Sequence, residues 1–283
     1  MIIVRTVADV RRALAVSRQR TIGLVPTMGA LHRGHVSLFH QARRRADVVV
    51  ATIFVNPAQF GDPTDLAAYP RDEAGDAAAA EAAGIDVLFV PTADSVYPAG
   101  YATWIEPSGA ALGLEGEFRP GHFRGVATVC LKLFTMVQPS LAWFGQKDAQ
   151  QVAVIAQLVR DLNLPIELVV APTERDVDGL ALSSRNARLS ADDRRRARAI
   201  PRALAAGLDL FRQGASADAI ERHALAQLQG LEVDYARIAD FGEPTLAIAA
   251  RAGRTRLIDN MPLATPARGG EVQLRSGLST EMA

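Results

Sequence analysis

From the start of the chain to about residue 172, short β-branched runs alternate with longer stretches of helical spacing. TIGLVPT (21–27), DVVVATIFVN (47–56), DVLFVPT (86–92), SLAWFG (140–145) and PIELVVAPT (165–173) have the length of strands. HVSLFHQARRR, the alanine-rich AGDAAAAEAAG, GVATVCLKLFTMV and AQQVAVIAQLVRDL fall between them, and in the last Val152, Ile155, Val159 and Leu162 share one helical stripe. A strand followed by a helix and another strand must cross over to a parallel neighbour, and that crossover is right-handed. The alternation predicts an α/β fold, a doubly wound, Rossmann-like parallel sheet with helices on both faces.

After residue 172 the texture changes. Ser190, with Asp193 three residues on, predicts a capping box for a helix over ADDRRRARAIPRALAAGLDLF, and SADAIERHALAQLQ follows as a second helix. VDYARIADF and TRLIDNM then read as strands, as does EVQLRS. Two helices followed by a few strands make a smaller C-terminal α+β domain. The reading therefore places the doubly wound domain at 1–175 and the α+β domain at 176–283.

Charge and cysteine content narrow the function classes. The 31 basic and 31 acidic residues cancel, which argues against a nucleic-acid or membrane binder. Arg43 to Arg45 and Arg194 to Arg196 fall in helix-like segments and read as solvated faces. MIIVRTVADVRR lacks the basic-then-apolar order of a signal peptide, no apolar run is long enough to span a bilayer, and the single cysteine, Cys130, excludes an intrachain disulfide. The expectation is a cytoplasmic protein with small-molecule partners. Among the 31 basic residues, the only lysines are Lys132 and Lys147. A chain that writes arginine almost everywhere has kept lysine twice, so these two sites are candidates for a compact ammonium that a guanidinium cannot replace.

In an open parallel sheet, ligands bind beyond the carboxyl ends of the strands, where helix N-termini also offer free N–H groups to anions. Four informative segments follow strands here: PTMGALHRGH, NPAQF, FGQKDAQQ and ERDVDGLALSSRN. His32 and His35, two of only five histidines, lie about 60° apart if the turn is helical, so both can face the crevice. Such a pair can cap and pack, bind zinc or face phosphates. Zinc lacks a third ligand at metal-like spacing nearby. Gly29 and Gly34 fit the phosphate reading, because glycine lets backbone approach a phosphate closely. Neither a Walker P-loop nor G-x-G-x-x-G is present.

Five motifs in register, PTMGALHRGHVSL, IFVNPAQF with DLAAYPRD, RPGHFRGVATVCLKLF, FGQKDAQQ and DGLALSSRNARLS, resemble the pantothenate synthetase (pantoate–β-alanine ligase) family of the H-x-G-H nucleotidyltransferases. The resemblance runs from residue 22 to about 190. It implies condensation of pantoate with β-alanine through a pantoyl-adenylate, with ATP and Mg2+, release of pyrophosphate and then AMP, and a homodimer.

Carried over motif by motif, the resemblance implies ATP contacts from Pro26, Thr27, Met28, Gly29, Ala30, Leu31, His32, Arg33, Gly34 and His35. It adds Gly145, Gln146, Lys147 and Asp148, then Glu174, Leu182, Ser183, Ser184 and Arg185. Catalysis falls to His35 as the proton donor, with His32, Lys147 and Arg185. Gln59, Gln151 and Asn56 are the pantoate-binding residues implied, Gln59 also reaches β-alanine, and Asp76 is the magnesium candidate. Arg119, His122, Tyr69 and Arg71 match family motifs in supporting positions. The chain departs from the family pattern at Leu182, commonly methionine, at Gln146, commonly glutamate, at Ala149, commonly aromatic, and at Glu174, where a family adenine contact falls. Another nucleotidyltransferase of the superfamily and an idle nucleotide- or RNA-binding protein are the rival readings.

Overall fold

The computed structural model describes residues 1–263 and, for the backbone, 272–274. Its larger sheet has seven strands: β1 (Ile2–Val4), β2 (Ile22–Thr27), β3 (Val48–Ile53), β4 (Val87–Phe89), β5 (Leu141–Gly145), β6 (Glu167–Ala171) and β10 (Val272–Leu274), in the order β1-β4-β3-β2-β5-β6-β10. The first six are parallel, and β10 closes the edge antiparallel to β6.

Strand side chains alternate between two cores, as a sheet covered on both faces requires. Ile22, Leu24, Val48, Val50, Leu168 and Val170 pack on one face, under helices α1 (Val7–Leu14), α4 (His122–Val137) and α5 (Ala149–Asp161). Val25, Val49, Ala51, Val169 and Ala171 pack on the other, under α2 (Arg33–Arg45) and α3 (Glu73–Ala82). Three residues of the stripe on α5, Val152, Ile155 and Val159, are buried as expected; Leu162 is 45% exposed, because the helix has ended and Leu162 is its C-cap.

A third core belongs to the chain after residue 175. Helices α6 (Ala191–Ala197), α7 (Ala199–Arg212) and α8 (Ala217–Gln227) and one face of a three-stranded antiparallel sheet, β7 (Glu232–Asp240), β8 (Pro244–Ala252) and β9 (Thr255–Pro262), enclose Ala197, Ile200, Leu204, Ile220, Leu246 and Ile248. The long helix expected over 191–211 is broken at Arg198. Pro201 has no N–H for the carbonyl of Ala197, and its ring crowds that carbonyl, so one helix ends where the next begins. Ser190 caps α6 through the Asp193 N–H, but the Asp193 carboxylate accepts from the Ser190 hydroxyl at 2.8 Å, so the box is not the reciprocal one.

Three strands depart from the sequence reading. β1 is three residues at a sheet edge, too short to show a period. β8, PTLAIAARA, is the middle strand of its sheet, but it is alanine-rich and buried nearly throughout, so neither β-propensity nor alternation marks it. Val272–Leu274, within the expected EVQLRS strand, pairs with β6 of the large sheet.

From β2 the chain adds β3 and then β4 on one side, and later β5 and β6 on the other. The order therefore reverses between β2 and β5, and the crevice beyond their carboxyl ends is where a ligand is expected. Thr27 ends β2 and Gly145 ends β5.

Candidate active site

The turn after β2 is built from its own residues and one helix. Gly29 has φ +79°, and a Cβ there would lie 2.7 Å from Asp76 Oδ2, so both the conformation and the approach require glycine. Asp76, in the first turn of α3 and 5% exposed, takes the N–H of Ala30 on Oδ2 at 2.8 Å and that of Leu31 on Oδ1 at 2.7 Å. Each oxygen of the magnesium candidate thus takes a backbone N–H, and Asp76 braces the turn.

His32 and His35 close the N-terminus of α2 on each other. His32 is the N-cap, its Nδ1 accepting from the Gly34 N–H at 3.2 Å, and His35 Nδ1 accepts from the His32 N–H at 3.3 Å. An imidazole nitrogen that accepts carries no proton, so the proton of each ring is on Nε2. The rings sit 4.1 Å apart. Burial, followed by the Lys147 ammonium, lowers His32 to about 4; burial, followed by His32, lowers His35 to about 3. Both are neutral N–H donors near pH 7. Their Nδ1 atoms are spoken for, and among the described residues no group of three His, Cys, Asp or Glu side chains could hold a metal ion.

Gln59 sits in a short turn, Pro57–Gln59, after β3. Helix α4 lies directly on that turn because Gly125 has no side chain: a Cβ there would meet the Ala58 carbonyl oxygen at 2.3 Å. Asn56 is 1% exposed and donates to Gln59 Oε1 at 2.9 Å and to the Gly125 carbonyl at 3.1 Å. Its Oδ1 accepts from the Tyr97 hydroxyl at 2.9 Å and from the Ala58 N–H at 3.3 Å. Every hydrogen-bonding position of Asn56 is filled by protein, so from the cavity wall it supports Gln59.

The turn after β5 is held from far along the chain. Asn260, on β9, donates from Nδ2 to the carbonyls of Gln146 at 2.9 Å and Lys147 at 2.8 Å, while its Oδ1 accepts from Gln146 Nε2 at 3.3 Å. Asp259 beside it binds both terminal nitrogens of Arg175, at 2.6 and 3.0 Å. Lys147, its side chain 16% exposed, points its ammonium toward the Asp148 carboxylate at 3.5 Å. Asp148 occupies the N-cap position of α5 but makes no side-chain cap.

A buried ionic chain runs under the same floor. Glu115, 4% exposed, binds both Arg256 terminal nitrogens, at 2.8 and 2.6 Å, and the Tyr235 hydroxyl at 2.8 Å, with Arg119 at 3.5 Å. Burial opposes the Glu115 charge, but the Arg256 guanidinium outweighs it and holds the carboxyl at about 2. Arg119 Nη1 donates to His122 Nε2 at 3.1 Å, which leaves Nδ1–H to donate to the Gln59 carbonyl at 3.0 Å. Burial, followed by Arg119, lowers His122 to about 4.

These segments enclose a cavity of about 250 Å³. Pro26, Thr27, Met28, His32, Gly34, His35, Asn56, Gln59, Gly145, Lys147, Asp148, Gln151, Glu174, Leu182, Ser183, Ser184 and Arg185 line it, with Tyr69, Arg119 and His122. Gly29, Ala30, Leu31, Arg33 and Gln146 do not. The Ala30 and Leu31 amides are given to Asp76, Arg33 is turned out to Asp176 at 3.2 Å, and Gln146 is tied to Asn260. Arg71 also lies off the wall, bonded to the carbonyls of Leu66 and Tyr69. Glu174, one of the departures, accepts from the Ser37 hydroxyl at 2.9 Å at the rim. Tyr97, Glu115, Arg256, Asp259 and Asn260 were not marked by the sequence reading. They touch the site only through other residues, and no spacing along the chain signals that.

Comparison with known proteins matches this architecture. The family model described as Pantoate-beta-alanine ligase covers residues 2–262. The pantothenate synthetase of Moorella thermoacetica is 48% identical over 279 residues, spanning 93% of this chain and 99% of its own. Pantothenate synthetase 1 of Bradyrhizobium diazoefficiens is 48% identical over 279 residues, spanning 93% of this chain and 98% of its own. The Thermus thermophilus pantothenate synthetase crystal structure superposes with a TM-score of 0.89 at 43% identity, covering 94% of this chain and all of that one. The Francisella tularensis pantoate-β-alanine ligase, crystallised with β-γ ATP and β-alanine, gives 0.80 at 36% identity over 94% of this chain and 99% of that one. By sequence and by fold, the chain belongs to the pantoate-β-alanine ligase family and is an ATP-dependent ligase.

Proposed function

We propose that the ligation of pantoate to β-alanine proceeds here through a separate pantoyl-adenylate, made in the cavity between β2 and β5. The pantoate carboxylate attacks the α-phosphate of ATP and pyrophosphate leaves; the β-alanine amine then attacks the acyl carbon, loses a proton and expels AMP. One observation carries this reading. The cavity wall presents two neutral Nε2–H donors, the Lys147 ammonium and the Arg185 guanidinium, with no activated nucleophile beside them. Cys130 is buried, and burial pushes its thiol up to about 12. Ser183 spends its Oγ accepting the Arg185 N–H at 3.2 Å. Donors and cations stabilise charge spreading over a leaving pyrophosphate, whereas an acyl-enzyme would need a nucleophile with a base.

In this reading His32, His35, Lys147 and Arg185 bind the phosphates. His35, neutral and strongly depressed, donates a hydrogen bond rather than a proton. Gln59 and Gln151 orient pantoate, and Gln59 borders the β-alanine subsite. Asp148 and Glu174 are the carboxylates of the wall, too few for a protein-built magnesium cage, which fits a magnesium ion that arrives on the triphosphate and neutralises it. The separate cores before and after residue 175 support a division into units 1–175 and 176–283, with Val272–Leu274 reaching back to the first. A cytoplasmic homodimer completes the reading.

Pyrophosphate exchange tests the mechanism. Label should pass from pyrophosphate into ATP when pantoate and magnesium are present and β-alanine is absent. Exchange that required β-alanine would remove the separate adenylate.

A further inference from the structure

We propose that Tyr97 is a positioning residue for substrate binding: its hydroxyl anchors the Asn56 carboxamide, whose Nδ2 in turn holds the Gln59 carboxamide with its N–H end toward the cavity. The inference rests on the reading of Gln59 as a pantoate-binding amide.

The polarity of this chain of amides follows from two backbone groups. The Ala58 N–H can only donate, so the Asn56 atom facing it is Oδ1; the Gly125 carbonyl can only accept, so the atom facing it is Nδ2. Tyr97 therefore donates to Oδ1, at 2.9 Å, the shorter of the two bonds that atom receives. The second N–H of Nδ2 goes to Gln59 Oε1 at 2.9 Å, which turns Gln59 Nε2 the other way, toward Met28 Sδ at 3.2 Å and the cavity. An anionic substrate thus meets an N–H donor. A reversed carboxamide would present oxygen to a carboxylate.

Tyr97 is held from outside the site and does not line the cavity. Its ring stacks on Trp104 at 5.7 Å and meets the edge of Tyr101 at 5.1 Å, and the Lys132 ammonium lies 4.3 Å from the Tyr101 ring centre and 5.8 Å from that of Tyr97. Burial raises the Tyr97 hydroxyl well above its ordinary pKa, so it stays a donor. Without that hydroxyl, Asn56 keeps its polarity through Ala58 at 3.3 Å and Gly125 at 3.1 Å but loses the shorter bond to Oδ1, so Asn56 and the Gln59 carboxamide it holds are less firmly placed.

Pyrophosphate exchange kinetics on Tyr97→Phe, Gln59→Ala and the double variant decide it, with thermal midpoints taken alongside. Tyr97→Phe should raise the KM for pantoate about fivefold, the scale of one net hydrogen bond, with the ATP KM and kcat within about twofold. Gln59→Ala should cost more, and the double variant should equal Gln59→Ala alone, since Tyr97 acts only through that amide. An unchanged pantoate KM in Tyr97→Phe, an equal rise in the ATP KM, or effects that multiply in the double variant would each overturn the proposal. If Tyr97→Phe is silent while Gln59→Ala is impaired, the inference alone falls. If Gln59→Ala binds pantoate normally, the Gln59 reading falls and takes the inference with it.

Discussion

The two turns that face each other across the cavity are held in opposite ways. The turn after β2 is nearly self-sufficient: its histidines cap each other within four residues, and one carboxylate 46 residues away takes two of its amides. The turn after β5 has no cap of its own. Its carbonyls are gathered by Asn260, 114 residues on, from a strand of the other core. A turn that stores its geometry locally is set as soon as its helix forms. One that borrows its geometry is correct only once the C-terminal sheet has docked, so the ammonium of Lys147 is placed by tertiary assembly.

The largest effect is expected at Lys147, because the borrowed geometry exists to place its charge. Lys147→Ala should lower the pantoate-dependent exchange rate by about 10²- to 10³-fold, the range for removing one preorganised donor from a transition-state site. Lys147→Arg should recover little, since the planar fork is longer and needs different partners. Full recovery by arginine would show that position matters less at this turn than total charge.

The local turn should answer almost as strongly. His35→Ala and His32→Ala are each expected to slow single-turnover adenylation by about 10²-fold with pantoate binding kept. His35→Asn is the sharper variant, because it keeps a neutral N–H while abolishing proton transfer. If the side chain only donates a hydrogen bond, asparagine restores much of the rate; if it delivers a proton, asparagine is as poor as alanine.

What could be seen in the sequence follows the same division. The H-x-G-H turn, the five parallel strands and the helix around Val152, Ile155 and Val159 are patterns with a period or a fixed spacing, and each lies within a few tens of residues. Asp76 was visible as an acid, but its hold on two backbone amides was not, because a lone carboxylate reads the same whether it faces a metal or a turn. Asn56 was placed at the site, but its hold on Gln59 was not visible. Asn260, Glu115 and Tyr97 left no trace, since Gln146, Arg256 and Asn56, which they respectively bind, are 41 to 141 residues away. The scarcity of lysine singled out one cavity-lining lysine and one in an aromatic nest: Lys132 belongs to the ring cluster of Tyr97 and Tyr101, a place where an ammonium above a ring suffices.

Smaller losses separate the two ways of holding a turn. Asp76→Asn keeps size but can accept from only one of the two amides, and should raise the ATP KM about tenfold with kcat less affected, as one buried amide goes unpaired. Asn260→Ala should lower kcat about three- to tenfold and reduce stability by about 1–3 kcal/mol, leaving His32 and His35 undisturbed. Asn260→Asp should be worse than alanine, since a carboxylate would face two carbonyl oxygens. Thermal melts and exchange kinetics on the three variants check this. Equal damage from alanine and aspartate would mean that β9 packs against the turn without orienting it.

The smallest effect on turnover is expected from pH, where three histidines, His122 buried and His32 and His35 half-buried, act on stability instead. In the folded chain His32, His35 and His122 titrate at about 4, 3 and 4, below the ordinary value near 6.5 that they regain on unfolding. On acidification the unfolded chain therefore takes up protons first, so stability present above pH 6.5 is lost as the pH falls toward the folded values. For His122, 7% exposed, the loss between pH 6.5 and 5.5 is about 1 kcal/mol. Across that interval the three rings stay neutral in the native enzyme, so kcat/KM for ATP should show no inflection near 6.5 from them. His122→Asn should flatten the fall of the thermal midpoint with acid while leaving that rate profile unchanged in shape. A rate inflection near 6.5 that disappears in His35→Asn would mean that His35 is far less buried than its place in the turn requires, and that the local turn is looser than the borrowed one.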